Sequence, residues 1–101
     1  MSELLPLITP GEILAEEFME PLGISQNRLA RDMYVPVSRI SGIVKGERSI
    51  TGDTALRLAA FFGTTPQFWM NLQADYELRE AQRSKGTEII ARVRPLTAKA
   101  A

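Results

Sequence analysis

The chain has 101 residues, of which 45% are hydrophobic and 24% charged, and its 12 basic side chains balance its 12 acidic ones. This length supports one small domain, and a domain of this size often gains stability from a partner or a second copy. Because the sequence has no Cys and no His, thiol and imidazole nucleophiles, disulfides and metal sites built on these residues are excluded. We therefore expect a protein that is not an enzyme and that binds neither a metal nor a cofactor.

The charge is unevenly distributed along the chain. Residues 1–20 contain five acidic and no basic residues, whereas residues 21–50 contain five basic and two acidic ones. A partner responds to this local field and not to the total, so the middle segment suits a phosphate backbone. The N-terminal residues lack the pattern of a secretory signal, and no apolar run approaches the roughly 18 residues of a membrane span. A cytoplasmic protein without a membrane partner is the expectation.

Start and stop signals predict three helices in the first half of the chain. The capping-box pattern Thr9-Pro10-Gly11-Glu12 opens the first helix, and Pro21 is expected to end it. Ser25 is a suitable cap for a second helix, and a third is predicted to begin near Pro36 and to close at Gly46. The predicted core positions of the first two helices are Ile13, Leu14, Phe18, Leu29, Ala30 and Met33.

The second half of the chain predicts two more helices. Thr51 or Asp53 opens a fourth helix, which Gly63 ends. Thr65-Pro66 opens a fifth, which is predicted to last until about Ser84, before Gly86. Apolar residues at helical spacing define the inner faces of these two helices, namely Ala55, Leu58, Ala59, Phe62, Phe68, Trp69, Leu72 and Tyr76. Five helices with short connections predict an all-α bundle.

Residues 87–94 allow two conformations. Their sequence fits a short strand with alternating apolar side chains as well as a further helical turn, and Pro95 stops either one. A strand in an otherwise helical monomer has an unpaired edge, for which a second copy of the chain is the obvious partner. The chain therefore divides into an N-terminal tail (1–8), a helical domain (9–84) and a C-terminal tail (85–101), which is a candidate dimerisation element. The fifth helix is the other candidate for the dimer interface.

The segment from Gln26 to Lys45 has the spacing of two helices that cross steeply over a short turn. Small or apolar residues occupy the positions that fill the shared core: Leu29, Ala30, Met33, Val35, Ile40 and Ile43. This is the helix-turn-helix arrangement, whose second helix enters the major groove of DNA. An ordinary helical hairpin with a solvated polar face is the alternative interpretation of the same pattern.

A helical wheel of residues 36–45 separates an apolar face from a polar one. The apolar face, predicted to pack against the body, consists of Val37, Ile40, Ile43 and Val44. The opposite face consists of Ser38, Ser41, Gly42 and Lys45, with Arg39 on its flank. Serine hydroxyls bond base edges or phosphates, and an arginine takes a guanine bidentately. Close approach of the backbone to DNA is one reason to tolerate Gly42 inside a helix.

Two other groups of side chains allow a functional interpretation. The aromatic residues Phe61, Phe62, Phe68 and Trp69 suit a stacking platform for single-stranded bases, but their helical spacing and the lack of interleaved basic residues favour the core. The acidic residues of the first helix are interpreted as a solvated face, with attraction of a basic protein as the alternative.

Five segments between Thr9 and Tyr76 carry a family resemblance. They are PGEIL at 10–14, LGISQ at 22–26, KGERSIT at 45–51, ALRLA at 55–59 and GTTPQFWMNLQ at 63–73. Together they resemble the HigA-type antitoxins, a branch of the Xre (lambda-repressor-like) helix-turn-helix family. The run that ends in FWMNLQ is distinctive of this branch.

The resemblance implies a homodimeric repressor that binds a palindromic operator in its own promoter. It also implies neutralisation of a HigB-type toxin, a small RelE-like endonuclease that cuts mRNA on the ribosome. It assigns base reading to one set of residues, Pro36, Val37, Ser38, Arg39, Ser41 and Lys45. It assigns backbone contacts to Gln26 and Arg48.

Two positions depart from the family pattern. Tyr34 stands in the turn where glycine is usual, so either the turn differs or Tyr34 lies over a phosphate. Thr9 replaces a frequent His, which we expect to be harmless. Two other functions stay open: a protein-interaction module that has lost DNA reading, and a stand-alone Xre-type transcriptional regulator.

Overall fold

Five helices form the part of the chain, residues 5–96, that the computed structural model describes. The first, α1, spans 10–22 and consists of α-helical Pro10–Ile13, π-helical Leu14–Met19 and α-helical Glu20–Leu22. The others are α2 (Gln26–Met33), α3 (Val37–Val44), α4 (Gly52–Phe62) and α5 (Pro66–Arg92). Residues 5–96 contain no strand, so the predicted all-α bundle is confirmed.

Side-chain caps fix the starts of three helices. The hydroxyl oxygens of Thr9, Ser25 and Thr65 each accept a hydrogen bond from the backbone N–H three residues later, at 3.0–3.1 Å. Each cap satisfies one of the N–H groups that lack an acceptor within their own helix. Thr51 is the cap residue of α4, although its side chain makes no capping bond there. These four predicted starts are confirmed.

The end of α1 differs from the prediction. Glu20 keeps helical angles (φ −62°, ψ −49°), and α1 continues through Pro21 to Leu22, after which Gly23 adopts φ +66°. The N–H of Glu20 donates to the carbonyl of Ala15, five residues back, so the chain here is wound more widely than an α-helix. Pro21 then stands in the first turn of a new α-helical segment, where its missing N–H removes no required bond.

The core lies where α1 to α4 meet the first turns of α5. Its largest fully buried side chains include Trp69, Leu14, Leu29, Ile40, Ile43, Ile50 and Leu58. The indole N–H of Trp69 donates to Thr64 Oγ1 at 2.7 Å, which satisfies the polar group of a buried ring. The ring of Phe18 lies 4.8 Å from that of Trp69 and 5.2 Å from that of Phe62. Of the four aromatic residues predicted to be core, Trp69 is buried and Phe61 and Phe62 pack against the core, whereas Phe68 remains 36% exposed at its edge.

Helices α1 and α3 touch backbone to backbone at Gly11. A Cβ atom at this position would lie 1.8 Å from the carbonyl oxygen and 2.6 Å from the carbonyl carbon of Ile43. Atoms do not approach so closely, so this crossing requires glycine.

A buried amide joins α5 to the loop between α3 and α4. Gln73 accepts a hydrogen bond from the backbone N–H of Ile50 at 2.8 Å and donates one to Glu77 at 3.0 Å. Since both ends of the amide are satisfied, its burial costs little.

Helix α5 is longer than predicted. It passes Ser84 and Gly86 and ends at Arg92, after which Val93 is extended. Residues 87–92 are therefore helical, and the strand alternative is wrong. Lengthening an existing helix needs no new nucleation, and an ion pair between Glu88 and Arg92 at 3.7 Å supports the last turn. The helix therefore continues through Gly86 despite the roughly 1 kcal/mol cost of a helical glycine.

Candidate nucleic-acid interface

Helices α2 and α3 form the predicted two-helix unit. Leu29, Ala30, Met33, Ile40 and Ile43 are buried between these helices and the body, and Val35 is partly buried against them. The backbone N–H of Val35 donates to the carbonyl of Ala30 at 3.0 Å, which closes the turn. The predicted shared core is confirmed.

Tyr34 occupies the turn in the conformation that glycine usually supplies. Its φ is +60° and ψ +46°, and it is the only residue other than glycine with positive φ within residues 5–96. Arg57 of α4 donates from Nη1 to the carbonyl oxygens of Met33 at 2.8 Å and Tyr34 at 3.4 Å. The turn therefore keeps the left-handed path despite the tyrosine, whose side chain is 86% exposed.

The apolar face of α3 packs as predicted, with one exception. Ile40 and Ile43 are fully buried and Val44 is partly buried. Val37 is 44% exposed, so its predicted packing role is wrong. It is the first residue of α3, and the residues of this helix that are buried in the core, Ile40 and Ile43, come later.

The polar face of α3 presents Ser38 and Lys45 to solvent and keeps Ser41 partly exposed. Pro36 caps this helix without a side-chain bond, so no capping side chain accepts from the first N–H groups of α3. Gln26 lies partly buried at the first position of α2, and Arg48 is exposed in the loop after α3. The proposed base-reading residues thus share one helix and its cap, with two polar residues flanking it.

Gly42 does not belong to the outward face. It is buried, and a Cβ atom there would lie 2.6 Å from Cδ and 2.8 Å from Cγ of Arg48. Its carbonyl accepts the backbone N–H groups of Glu47 at 2.8 Å and Arg48 at 3.1 Å. The glycine makes room for the aliphatic part of Arg48, and the predicted explanation through close approach to DNA is wrong.

Arg39 is paired with an acidic residue that the sequence analysis did not assign to the site. Its Nη1 donates to Asp53 Oδ2 at 2.6 Å, and the same oxygen accepts Nε of Arg57 at 3.0 Å. The hydrogen bonds from Arg57 and then Arg39 hold the pKa of the Asp53 carboxyl below its ordinary value. The spacing of Asp53 and Arg57 is a helical i,i+4 pair that the sequence offers, whereas the pairing across 14 residues depends on how α3 and α4 pack.

The interface consists of hydroxyl, cationic and carboxylate side chains on and around α3. Within the described range, 5–96, no group of three or more potential ligand side chains is placed to hold a metal ion. In that same range no helix has the length and apolarity needed to span a membrane. A convex helix with hydroxyls and cations, held by a packed core, defines a helix-turn-helix protein of the kind that contacts DNA.

Comparison with known proteins agrees with this class. The helix-turn-helix family profile matches residues 16–69. Virulence-associated protein I of Dichelobacter nodosus is 48% identical over 81 residues, which cover 80% of this chain and 75% of that protein.

Two solved structures share both the fold and the sequence. An addiction module antidote protein of the HigA family from Coxiella burnetii is 49% identical, with a TM-score of 0.84 over 91% of this chain and 100% of that one. The Pseudomonas aeruginosa antitoxin HigA, solved with the higBA promoter, is 42% identical, with a TM-score of 0.85 over 89% and 98% of the two chains. The chain belongs to the helix-turn-helix family and, within it, to the HigA-type antitoxins.

Proposed function

We propose that this protein is the antitoxin of a type II toxin–antitoxin module, and that it represses its own promoter by binding an operator. The observation that carries the proposal is the polar face of α3, which the buried Ile40 and Ile43 hold outward on a rigid unit. A helix of this kind fits the major groove. A similar antitoxin solved with its promoter supports the same use of the fold. The protein would act in the cytoplasm by binding alone, without a cofactor.

We assign the contacts as follows. Base reading falls to the α3 residues and their cap, Pro36, Val37, Ser38, Arg39, Ser41 and Lys45. Gln26 and Arg48 contact the phosphates on either side. The exposed Tyr34 side chain is a further candidate for a phosphate contact.

The direct test is binding to the DNA upstream of the protein's own gene. Fluorescence anisotropy at several salt concentrations should show tight binding that weakens steeply with salt, because each neutralised phosphate releases counterions. Unrelated DNA of the same length is the control. A dimeric protein that shows no salt-sensitive preference for the upstream DNA would refute the repressor function.

Two variants separate base reading from backbone contact. Arg39→Ala should lower operator affinity by roughly 1–3 kcal/mol and relax the preference at one base pair. Arg48→Ala, at a position assigned to a backbone contact, should weaken all sequences alike and reduce the salt slope by about one unit. The same anisotropy titrations, repeated on operators with single base-pair changes, measure both effects. If both variants shift all sequences equally, Arg39 does not read a base.

We further propose that the protein is a homodimer held by the end of α5 and the residues that follow it, 85–96; residues 97–101 of the predicted tail lie outside the described range. Gly86, Ile89, Ile90 and Val93 fall at i, i+3, i+4 and i+7, which is one face of a helix. The three apolar side chains of this stripe are exposed in the single chain. Pairing two such stripes would bury them, and operator binding would require the dimer to place its two α3 helices about 34 Å apart, in successive major grooves.

The dimer proposal is tested by a pair of matched substitutions. Ile90→Glu places a charge in the stripe, whereas Ala91→Glu places the same charge on another face of the helix. Sedimentation equilibrium should give monomers for Ile90→Glu and dimers for Ala91→Glu and the original protein. If both variants have the mass of a dimer, the dimer interface lies elsewhere.

We propose that the toxin partner is of the HigB type, as membership in the HigA-type antitoxins suggests. A small basic RelE-like reading frame directly upstream of the gene is the expected neighbour, and its absence would favour a stand-alone regulator. Expression of that toxin alone should arrest growth, and expression of this protein together with it should restore growth. Replacing Ser38, Arg39 and Ser41 together by Ala should abolish operator binding and leave growth rescue intact. If the unchanged protein rescues growth but never binds the operator, it is a protein-interaction module alone.

A further inference from the structure

The most constrained charged group near α3 is the cluster of Arg39, Asp53 and Arg57. One carboxylate oxygen, Asp53 Oδ2, accepts from Arg39 at 2.6 Å and from Arg57 at 3.0 Å. The Arg39 side chain is only 28% exposed, less than either of its partners. An isolated surface arginine samples many rotamers, so this pairing limits where the guanidinium group of Arg39 points.

The cluster is anchored to the helix-turn-helix unit. Arg57, besides binding Asp53, donates to the carbonyl oxygens of Met33 and Tyr34 at the end of α2. Arg57 therefore links the turn that precedes α3 to Asp53, and Asp53 in turn binds Arg39. The position of the guanidinium group is set relative to the turn and not only to its own helix.

The pairing leaves Arg39 able to bind a base. Asp53 engages Nη1, and the N–H groups of Nε and Nη2 lie on the other edge of the planar group. That edge has the geometry for the two acceptors of guanine, O6 and N7. The carboxylate also offsets the positive charge of Arg39, which weakens attraction to phosphates that carry no sequence information.

We propose that Asp53 is a specificity-determining residue, which positions Arg39 for one base pair and opposes its binding to phosphates elsewhere. This inference rests on the proposed operator binding and on Arg39 as a base-reading residue. Asp53 acts through Arg39 and needs no contact with DNA itself.

The experiment measures the ratio of affinities for the upstream operator and for unrelated DNA. Asp53→Asn should raise the affinity for unrelated DNA, because a negative charge is lost, and lower the ratio by on the order of tenfold. Asp53→Glu keeps the charge but moves the carboxylate, so it should lower the ratio without raising affinity for unrelated DNA. The matched control is Glu47→Gln, which removes an exposed negative charge from the loop after α3 and should change both affinities alike. Circular dichroism shows that each variant is folded.

A double-mutant cycle separates positioning from a general charge effect. In an Arg39→Ala background, Asp53→Asn should leave the ratio unchanged, since the side chain that Asp53 positions is absent. An unchanged ratio for Asp53→Asn alone, in a protein that binds its operator, would overturn the inference. An equal fall of the ratio with and without Arg39 would overturn it as well. If the original protein shows no preference for the operator, the proposed function fails first, and this inference fails with it.

Discussion

The body of the molecule and the second half of α5 differ in how far their side chains are buried. In the body, α1 to α4 enclose a core around Trp69 in which the largest side chains are fully buried. Beyond residue 76, every α5 residue except the partly buried Gly86 is exposed. The 27-residue helix is about 40 Å long, so its second half extends beyond the core. The body stabilises itself, whereas the apolar stripe at 86–93 is exposed and has no packing partner among residues 5–96.

The largest effect is expected when glycine is replaced by alanine in each of the two regions and the free energies of unfolding are compared. Gly11→Ala should lower the free energy of unfolding by about 3 kcal/mol or prevent folding, because its Cβ atom would overlap the Ile43 backbone. Gly86→Ala, made in the monomeric Ile90→Glu background, should raise it by about 1 kcal/mol, because the nearest atom within the chain would be Gln82 Cβ at 3.8 Å. Urea denaturation of both variants measures the difference. Destabilisation by Gly86→Ala would mean that the second half of α5 is packed against something in solution.

A medium effect is expected where the two regions join. Gln73→Ala leaves the buried N–H of Ile50 without its acceptor and should cost about 1–3 kcal/mol. Gln82→Ala, one of the exposed residues farther along α5, should change stability by less than about 0.5 kcal/mol. Thermal and urea unfolding of the pair provide the comparison. Equal losses for both variants would show that the Ile50 contact does not hold α5 to the body.

The smallest effect concerns pH. The hydrogen bonds from Arg57 and Arg39 place the pKa of Asp53 in the folded protein below its ordinary value of 3.8. The stabilisation from this carboxylate is therefore complete above pH 3.8 and is lost as the pH falls through the lower folded pKa. Because Asp53 is exposed, solvent screens the pair and the contribution is small.

Stability of the original protein and of Asp53→Asn should accordingly differ by a constant amount near neutral pH and converge in acid. Urea midpoints measured in a series from about pH 7 down to well below the ordinary pKa of 3.8 test the convergence. A difference that grows on acidification would show that the ion pair is not the cause.

Local signals in the sequence were sufficient for most of the fold. Thr9, Ser25 and Thr65 were identifiable as caps because a cap depends on four or five consecutive residues. Pro21 was misleading, since its effect depends on the π-helical winding before it. The end of α5 was missed because Gly86 reads as a stop signal although the helix tolerates it.

The candidate site was less accessible to sequence analysis. The wheel correctly set Ile40 and Ile43 against Ser38 and Lys45, because helical periodicity alone separates them. It misplaced Gly42, which is covered by the side chain of Arg48. It also misplaced Val37, because the first residue of α3 lies outside the part of the helix that packs on the core. The pairing of Arg39 with Asp53 was not accessible, since nothing in either local segment indicates contact across 14 residues.

The turn between α2 and α3 has a consequence for how such sequences diverge. Arg57 binds the turn through the carbonyl oxygens of Met33 and Tyr34, which every amino acid carries. The conformation of the turn is thus supported by a side chain of α4. It does not depend on having the usual glycine at position 34. Position 34 becomes a place where a lineage is able to acquire a large side chain at the edge of the DNA-facing surface while the two helices keep their angle.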